Sequence, residues 1–290
     1  MGKSNNCHVA AIVVTYNRLK CLKECLRAIR SQTYKNYDII IVNNGSTDGT
    51  EEFLSSQNDL IVINQTNCGG AGGFYTGMKY MYDNSYDAIW MMDDDGIPDS
   101  QQLFYLVRDS IKYDVDFVSA LVIDKDNPVM TVKDSLYDKK AYDQKEIIMN
   151  LSFAFNGTFI WRDVIEKVGF IKKEMFIWGD ESEYLLRVKS KKLKVGTITR
   201  AIHYHPSFRV TYEKIVPFVP YGHVRFKPKP KDKIFIRNLG YIDGKYNKGY
   251  FIRYFFYYVL RFKFREFSYF MKYYLMGRKD DFSKNLLNEC

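Results

Sequence analysis

Residues 88–100, AIWMMDDDGIPDS, pass from five apolar side chains straight into three adjacent aspartates, Asp93, Asp94 and Asp95. A short apolar run bounded by turn residues reads as a buried strand, so the carboxylates fall at its C-terminal end. Three neighbouring negative charges repel one another and stay together only where water solvates them or a cation neutralises them. Hard oxygen ligands at the end of a parallel strand suit Mg²⁺ or Mn²⁺, with positions left open for phosphate oxygens. The alternative is a solvated acidic turn helped by Gly96 and Pro98.

Working outward, the preceding residues alternate strand and helix signals at short intervals. Strands are expected at His8–Thr15, Tyr37–Val42, Leu60–Asn64 and Ala88–Met92. Between them, Leu19–Ser31 carries Leu22, Cys25, Leu26 and Ile29 at helical spacing, and a short helix through Phe53 and Leu54 follows the turn NNGSTDGT. The run NCGGAGGF then opens a helix carrying Met78, Met81 and Tyr82. Short apolar strands joined by helices indicate an α/β fold with a mostly parallel, doubly wound sheet whose ligands bind beyond the strand C-termini. The segments Thr15–Arg18, Asn43–Asp48, Asn67–Phe74 and Asp93–Asp95 each follow a strand.

From about Asp116 to Met149 the pattern loosens among many Asp and Lys residues and reads as an extended excursion. Strand character resumes over Phe153–Trp161, a helix follows Trp178, and Lys194–His205 forms a further strand ending in AIHYHP. Beyond Lys227 the segment KPKPKDK reads as a linker, which divides the chain into a domain of residues 1–226 and an extension of residues 227–290. Within that extension, aromatics between Tyr250 and Tyr274 alternate with Arg253, Arg261, Lys263, Arg265 and Lys272. Such a segment suits a membrane interface, or a packed helix whose cationic stems reach outward.

A chain of 290 residues with 46% hydrophobic content is long enough for a full α/β core and an added arm. Its net charge of +9 favours an acidic partner: nucleic acid, anionic lipid or a phosphorylated substrate. The five cysteines are scattered without C-x-x-C spacing, which argues against a disulfide framework or zinc knuckle and for a reduced, cytoplasmic setting. No signal peptide and no membrane span are expected, because the longest aromatic-apolar run, Tyr254–Leu260, is far short of the roughly 20 residues a span needs.

Three constellations carry chemistry. Gly69, Gly70, Gly72 and Gly73, ahead of Phe74, would let backbone approach a ligand at a helix N-terminus; neither G-x-G-x-x-G nor a P-loop is present, and the bland reading is a tight turn. Trp178-Gly-Asp-Glu-Ser-Glu183 sets Asp180 and Glu183 as a capping box and leaves Glu181 without structural duty, so Glu181 could serve as a general base. His203 and His205 share one side of a strand, since Tyr204 between them points the other way, and either imidazole could complete a metal's coordination.

Together VVTYNR, VNNGSTDGT, NCGGAGGF, MMDDDG, WGDESEY, AIHYH and IRNLGY resemble the family 2 inverting glycosyltransferases of GT-A fold, in the galactofuranosyltransferase and rhamnosyltransferase branch, over roughly residues 8 to 240. The resemblance implies that Thr15, Asn17, Arg18, Asn44 and Ser46 line a nucleotide pocket with the glycine run, Phe74 and Trp178. It implies that Asp93 and Asp95 bind Mn²⁺ or Mg²⁺ with His203 or His205, that Asp94 faces the sugar or ribose, and that Arg237, next to Asn238, contacts a diphosphate. Many relatives have Asp where this chain has Asn43 and Asn44. The base is implied to be Glu181 or Asp180, acting in a single in-line displacement that inverts the anomeric centre. The implied donor is UDP-galactofuranose, with dTDP-rhamnose as alternative; the implied acceptor is a lipid-linked cell-surface glycan met at the cytoplasmic face of the membrane. The rival classes are an RNA or polyanion binder, unsupported by any RRM, KH or zinc-finger signature, a nucleotidyltransferase, and a non-catalytic sugar-nucleotide sensor; no nucleic-acid partner is expected.

Overall fold

The computed structural model of the chain describes residues 3–126, 145–206, 211–216, 222–283 and 286. The apolar runs form strands: β1 (Val9–Thr15), β2 (Tyr37–Asn43), β3 (Leu60–Asn64) and β4 (Ala88–Asp93) pair in parallel in the order β3-β2-β1-β4. All seven residues of β1 are buried, the pattern of a strand covered on both faces. Three helices connect these strands: α1 (Leu19–Arg30), α2 (Thr50–Ser55) and α3 (Gly69–Asp83). A Cβ on Gly73 would overlap Val14 Cγ1, and one on Gly77 would stand 2.5 Å from Ile12 Cγ2. These two glycines, one turn apart, let α3 lie directly on β1.

The sheet continues through β5 (Ile97–Pro98), β6 (Phe117–Asp124), β7 (Ile147–Met149), β8 (Thr158–Trp161) and β9 (Val195–His205), in the order β4-β8-β6-β9-β5, with β7 also on β9. Strand β8 runs antiparallel to β4 and β6, while β9 is parallel to β6, so the nine-stranded sheet is mixed but mostly parallel. Helices α4 (Gln102–Lys112) and α5 (Arg162–Val168) belong with this sheet, and α6 (Asp180–Ser190) precedes β9. The expected excursion over residues 116–149 needs correction at its start. Phe117–Asp124 is a core strand with its first seven residues buried, and its one interior hydroxyl, Ser119 Oγ, is matched by Thr197 Oγ1 at 3.0 Å. The end of that excursion needs the same correction, since Ile147–Met149 is strand β7; residues 127–144 lie outside the described residues. Trp90, Phe117 and Phe159 are fully buried, each worth roughly 1.5–3 kcal/mol of transfer free energy.

The chain divides into two compact units, one of Met1–Lys173 with Tyr184–Phe208, the other of Glu174–Glu183 with Arg209–Cys290. The unit holding the C-terminal helices thus also takes in residues 174–183 and 209–226, which a boundary at residue 227 assigns elsewhere.

In the second unit, β10 (Thr211–Lys214) and β11 (His223–Phe226) form an antiparallel pair, and α7 (Asp232–Tyr246), α8 (Tyr250–Val259) and α9 (Phe264–Arg278) enclose an aromatic core. Phe270 stacks on Tyr254 and Tyr274 at ring-centroid distances of 4.7 and 5.2 Å. Helices α7 and α9 touch backbone to backbone: a Cβ on Gly240 would overlap the Tyr274 carbonyl, and one on Gly277 the Arg237 carbonyl. Small residues at a crossing allow that approach. The packed-helix reading therefore describes one face of the aromatic segment, and the other face is exposed. Tyr254, Tyr257, Tyr258, Tyr273 and Tyr274 are buried, whereas Phe256, Phe262 and Phe264 are exposed. Among the described residues no helix is long and apolar enough to cross a membrane.

Candidate active site

At the C-terminal end of β4 the chain turns sharply, with the Gly96 N–H donating to the Asp93 carbonyl at 3.2 Å, and returns as β5 antiparallel to β9. A side chain at residue 96 would overlap the His203 ring, so the turn requires glycine. Pairing of Ile97 with Tyr204 and Pro98 with His203 brings the end of β9 alongside the acidic triplet. Asp95 Oδ1 then lies 3.1 Å from His205 Nε2, and ligand atoms of Asp93, Asp95 and His205 all fall within 4.8 Å of one another.

His205 is buried, and its Nδ1 lies 2.7 Å from the Pro206 carbonyl. A carbonyl can only accept, so Nδ1 carries a proton; Nε2–H then donates to Asp95, and loss of that second proton would leave an Nε2 lone pair free for a cation. Asp95 Oδ1 is buried with no hydrogen-bond partner apart from its ionic neighbour His205. Two carboxylates and an imidazole nitrogen, with one carboxylate oxygen otherwise orphaned, fit a divalent cation.

His203, expected alongside His205 as a candidate, lies outside this cluster; the structure brings His205 alone of the two to the carboxylates. The side chains do share one side of β9, but His203 Nδ1 faces Gln102 Nε2 at 3.2 Å, and its Nε2 is packed against Gly96 without a hydrogen-bond partner. Gln102 is fully buried and also accepts from Trp90 Nε1 at 3.1 Å and donates to the Ile202 carbonyl. Sequence reasoning passed over this residue; a lone Gln at a helix start carries no signal.

The triplet is electrostatically divided. Burial and the neighbouring aspartates push Asp93 up to about 7, and burial pushes Asp94 up to about 6 against the Thr15 hydroxyl and Arg18. Burial acts on Asp95 too, but His205 and Arg18 outweigh it and hold the carboxyl down at about 2. Arg18 Nη1 reaches Asp95 Oδ2 at 2.5 Å and Asp94 Oδ1 at 3.4 Å, and Thr15 Oγ1 donates to Asp94 Oδ2 at 2.7 Å. For His205, burial opposes protonation but Asp95 overcomes it, so its affinity for a proton is raised; the buried His203 is depressed to about 3.

Beside the triplet, the ends of β1 and β2 are laced together. The Asn17 N–H donates to Ser46 Oγ at 3.0 Å, and Asn17 Oδ1 accepts from the Thr47 N–H at 2.7 Å. Asn44 joins β2 to the start of α3: its Nδ2 donates to the Gly69 carbonyl at 2.9 Å, and its Oδ1 accepts from Gln65 Nε2 and the Cys68 N–H. The glycines differ in duty. Gly69 has φ +74°, Gly72 would meet Cys68 Cβ at 2.6 Å, Gly73 faces Val14, and only Gly70 of the run adjoins open space. Phe74 is buried against Phe155, ring centroids 5.0 Å apart.

Trp178, Asp180, Glu181 and Arg237 belong to the second unit. There Trp178 and Gly179 both take positive φ, +62° and +104°, immediately before the acidic pair. Such backbone persists only where its surroundings impose it. Asn238 Nδ2 donates to the carbonyls of Met175, Ile177 and Trp178 at 2.8–3.1 Å, and Arg237 Nη2 donates to the Glu174 and Met175 carbonyls at 3.0 and 3.4 Å. The Arg237 guanidinium is thus buried and spent on holding this loop, and it also stacks on Phe282. Asp180 is buried, Glu183 accepts from Tyr246 Oη at 2.9 Å, and Glu181 is half-buried with Oε2 accepting from the Gly179 N–H at 3.1 Å. Lys227 Nζ sits 4.7 Å above the Trp178 ring.

A glycosyl transferase family 2 model matches residues 10–169, more than half of the chain. The chain is 29% identical to the galactofuranosyltransferase GlfT1 of Mycolicibacterium smegmatis, over 68% of this chain and 70% of that one. It is 27% identical to GlfT1 of Mycobacterium tuberculosis over 81% of each. Among solved structures, S. aureus TarS (residues 1–349) superposes with a TM-score of 0.55 at 15% identity, covering 68% of this chain and 60% of that one. The mannosyltransferase PcManGT of Pyrobaculum calidifontis, solved with GDP-Man and Mn²⁺, gives 0.54 at 18% identity, covering 81% and 61%. The chain therefore spans about three-fifths of each of these two structures, a likeness of fold.

Proposed function

This chain belongs to glycosyl transferase family 2, and on that footing we propose that it is an inverting, metal-dependent galactofuranosyltransferase. Its donor is UDP-galactofuranose, and its acceptor is a hydroxyl of a growing, lipid-linked cell-surface glycan at the cytoplasmic face of the membrane. The observation that carries the reading is the Asp93, Asp95 and His205 cluster at the C-terminal edge of the sheet, where α/β folds bind ligands. The galactofuranose assignment is supported by the two GlfT1 relatives, which match over most of their length.

Asp93, Asp95 and His205 would hold a divalent cation, which when bound neutralises diphosphate charge and so stabilises a leaving nucleoside diphosphate. An imidazole among the oxygens suits Mn²⁺ better than Mg²⁺, which prefers an oxygen shell. Arg18 neutralises Asp94 and Asp95 from the open side, and Thr15 orients Asp94 through its hydroxyl. The Asn17, Ser46 and Asn44 network sets the shape of the nucleotide pocket. Glu181 takes the proton of the attacking hydroxyl; its half-exposure favours it over the buried Asp180. Arg237 acts on the reaction through the loop that carries Trp178 and the acidic pair.

The test is nucleotide release by the purified chain with Mn²⁺ or Mg²⁺ from UDP-galactofuranose, UDP-galactopyranose, UDP-glucose and dTDP-rhamnose, with and without acceptor extract and with an EDTA control. Metal-dependent release from UDP-galactofuranose alone is expected. Preference for dTDP-rhamnose overturns the donor, and release undiminished by EDTA overturns the metal.

A further inference from the structure

The hairpin of α8 and α9 carries its aromatic residues on two sides. One side is the buried tyrosine core. The other presents Ile252, Phe255, Phe256 and Leu260 along α8 at helical spacing, continuing into Phe262 and Phe264 in the connection and first turn of α9. Phe262 is 81% exposed, Ile252 59%, Phe264 57% and Leu260 51%. Six large apolar side chains exposed on one hairpin form a patch that a lone soluble surface rarely keeps.

The polar residues of the patch have one dominant sign. Arg253 and Arg265 are exposed and make no ion pair among the described residues, and Lys263 lies over the Tyr257 ring with Nζ 5.3 Å from its centroid. Arg261 braces the hairpin instead, donating to the Lys214 and Ile215 carbonyls at 2.6 Å. From Tyr250 to Tyr274 the only acid is Glu266. Phe262 is held outward by the backbone, which takes φ +55° there and closes through the Lys263 N–H to the Tyr258 carbonyl at 3.0 Å. A bulky residue in that region is rare and here is fixed at a tip rather than in a core.

We propose that this hairpin is a membrane-docking surface, in which Phe262, Phe264, Leu260 and the outer face of α8 enter the interface of an anionic bilayer while Arg253, Lys263 and Arg265 meet its headgroups. Aromatic rings settle at headgroup depth, and each Lys or Arg near an anionic surface adds attraction. A second copy of the chain is the less suitable occupant. A two-fold interface would set the same cations against themselves with almost no acid to pair them. Among the described residues no helix is long and apolar enough to span, and the proposed contact is an interfacial one.

The experiment is flotation of the full chain with vesicles of phosphatidylcholine alone and of phosphatidylcholine with about a quarter phosphatidylglycerol. The wild type partitions to the anionic vesicles. The double substitution Phe262→Ser, Phe264→Ser lowers that partitioning roughly tenfold or more while leaving the thermal midpoint in place, because both rings are exposed. Arg253→Gln with Arg265→Gln removes most of the preference for anionic over neutral vesicles. Absence of wild-type partitioning, or partitioning untouched by loss of the two rings, overturns the proposal. So does a dimer in sedimentation velocity that the same phenylalanine changes dissolve while no vesicle binds, which would give the patch to a second copy. No donor or acceptor enters the measurement, so it stands or fails apart from the sugar-transfer reading.

Discussion

Asp95 and His205 meet at 3.1 Å because the turn after β4 carries the chain back onto β9, although β5, α4, β6, β7, β8, α5 and α6 lie between them in sequence. Their union gives the acidic triplet a nitrogen partner and leaves Asp93 and Asp94 as the carboxylates most costly to ionise. The predictions that follow test this arrangement and the elements that frame it.

Replacement of His205 by Gln, or of Asp95 by Asn, is expected to weaken Mn²⁺ binding by about a hundredfold or more, since on the proposed site each removes one of three ligands. His203→Gln is expected to retain Mn²⁺ affinity within about threefold in the folded protein, because its ring is occupied by Gln102. Electron paramagnetic resonance of free Mn²⁺ reads both directly. Equal losses from the two histidines would return His203 to the ligand set.

The metal-free protein is expected to lose stability between about pH 4 and pH 7 as pH rises. Asp93 and Asp94 stay protonated in the fold up to about 7 and 6, whereas in the unfolded chain they ionise near 3.8. The folded state therefore binds more protons across that window, and its advantage fades as pH passes through the folded values. His203, depressed to about 3 from 6.5, works in the opposite sense, one group against two. Thermal midpoints should fall from pH 5 to pH 7.5, and saturating Mn²⁺ should raise the midpoint more at pH 7.5 than at pH 5. A midpoint that climbs steadily over this range would contradict the placement of the two aspartates.

Glu181→Gln is expected to cut turnover by about 10²- to 10⁴-fold while UDP binding, measured by calorimetry, stays within a factor of about two. If activity instead survives in Glu181→Gln and disappears in Asp180→Asn, the base is Asp180.

Gly73→Ala should destabilise the protein by about 1–3 kcal/mol in denaturant unfolding, because its Cβ has no room against Val14 on β1. Gly70→Ala faces open space and should leave stability unchanged or slightly raised. If the Gly70 backbone approaches the donor, the same change raises the KM for the nucleotide sugar. A loss of stability in Gly70→Ala with none in Gly73→Ala would reverse the division of duties within the glycine run.

Gln102→Leu should cost about 2–4 kcal/mol, since Trp90 Nε1 and the Ile202 carbonyl would lose their buried partner at once. A cost below about 0.5 kcal/mol would mean that the Gln102 network does not brace the acidic turn.

Sequence alone determined the elements whose signal is local. An unbroken apolar run such as Val9–Thr15 can satisfy its backbone and bury its side chains only as a covered strand, and the clustered aspartates at the end of β4 announce a charged edge whatever surrounds them. The core strand Phe117–Asp124 was hidden by its acidic and basic flanks, whose polarity masked an apolar stretch. Tertiary structure alone decided which histidine meets the carboxylates, why Gln102 is buried, and that Arg237 serves a loop. It likewise decided that the C-terminal aromatics split between a core and an exposed tip. Each depends on register or packing between segments far apart in the chain, where shifting one strand by a single residue turns every side chain to the other face.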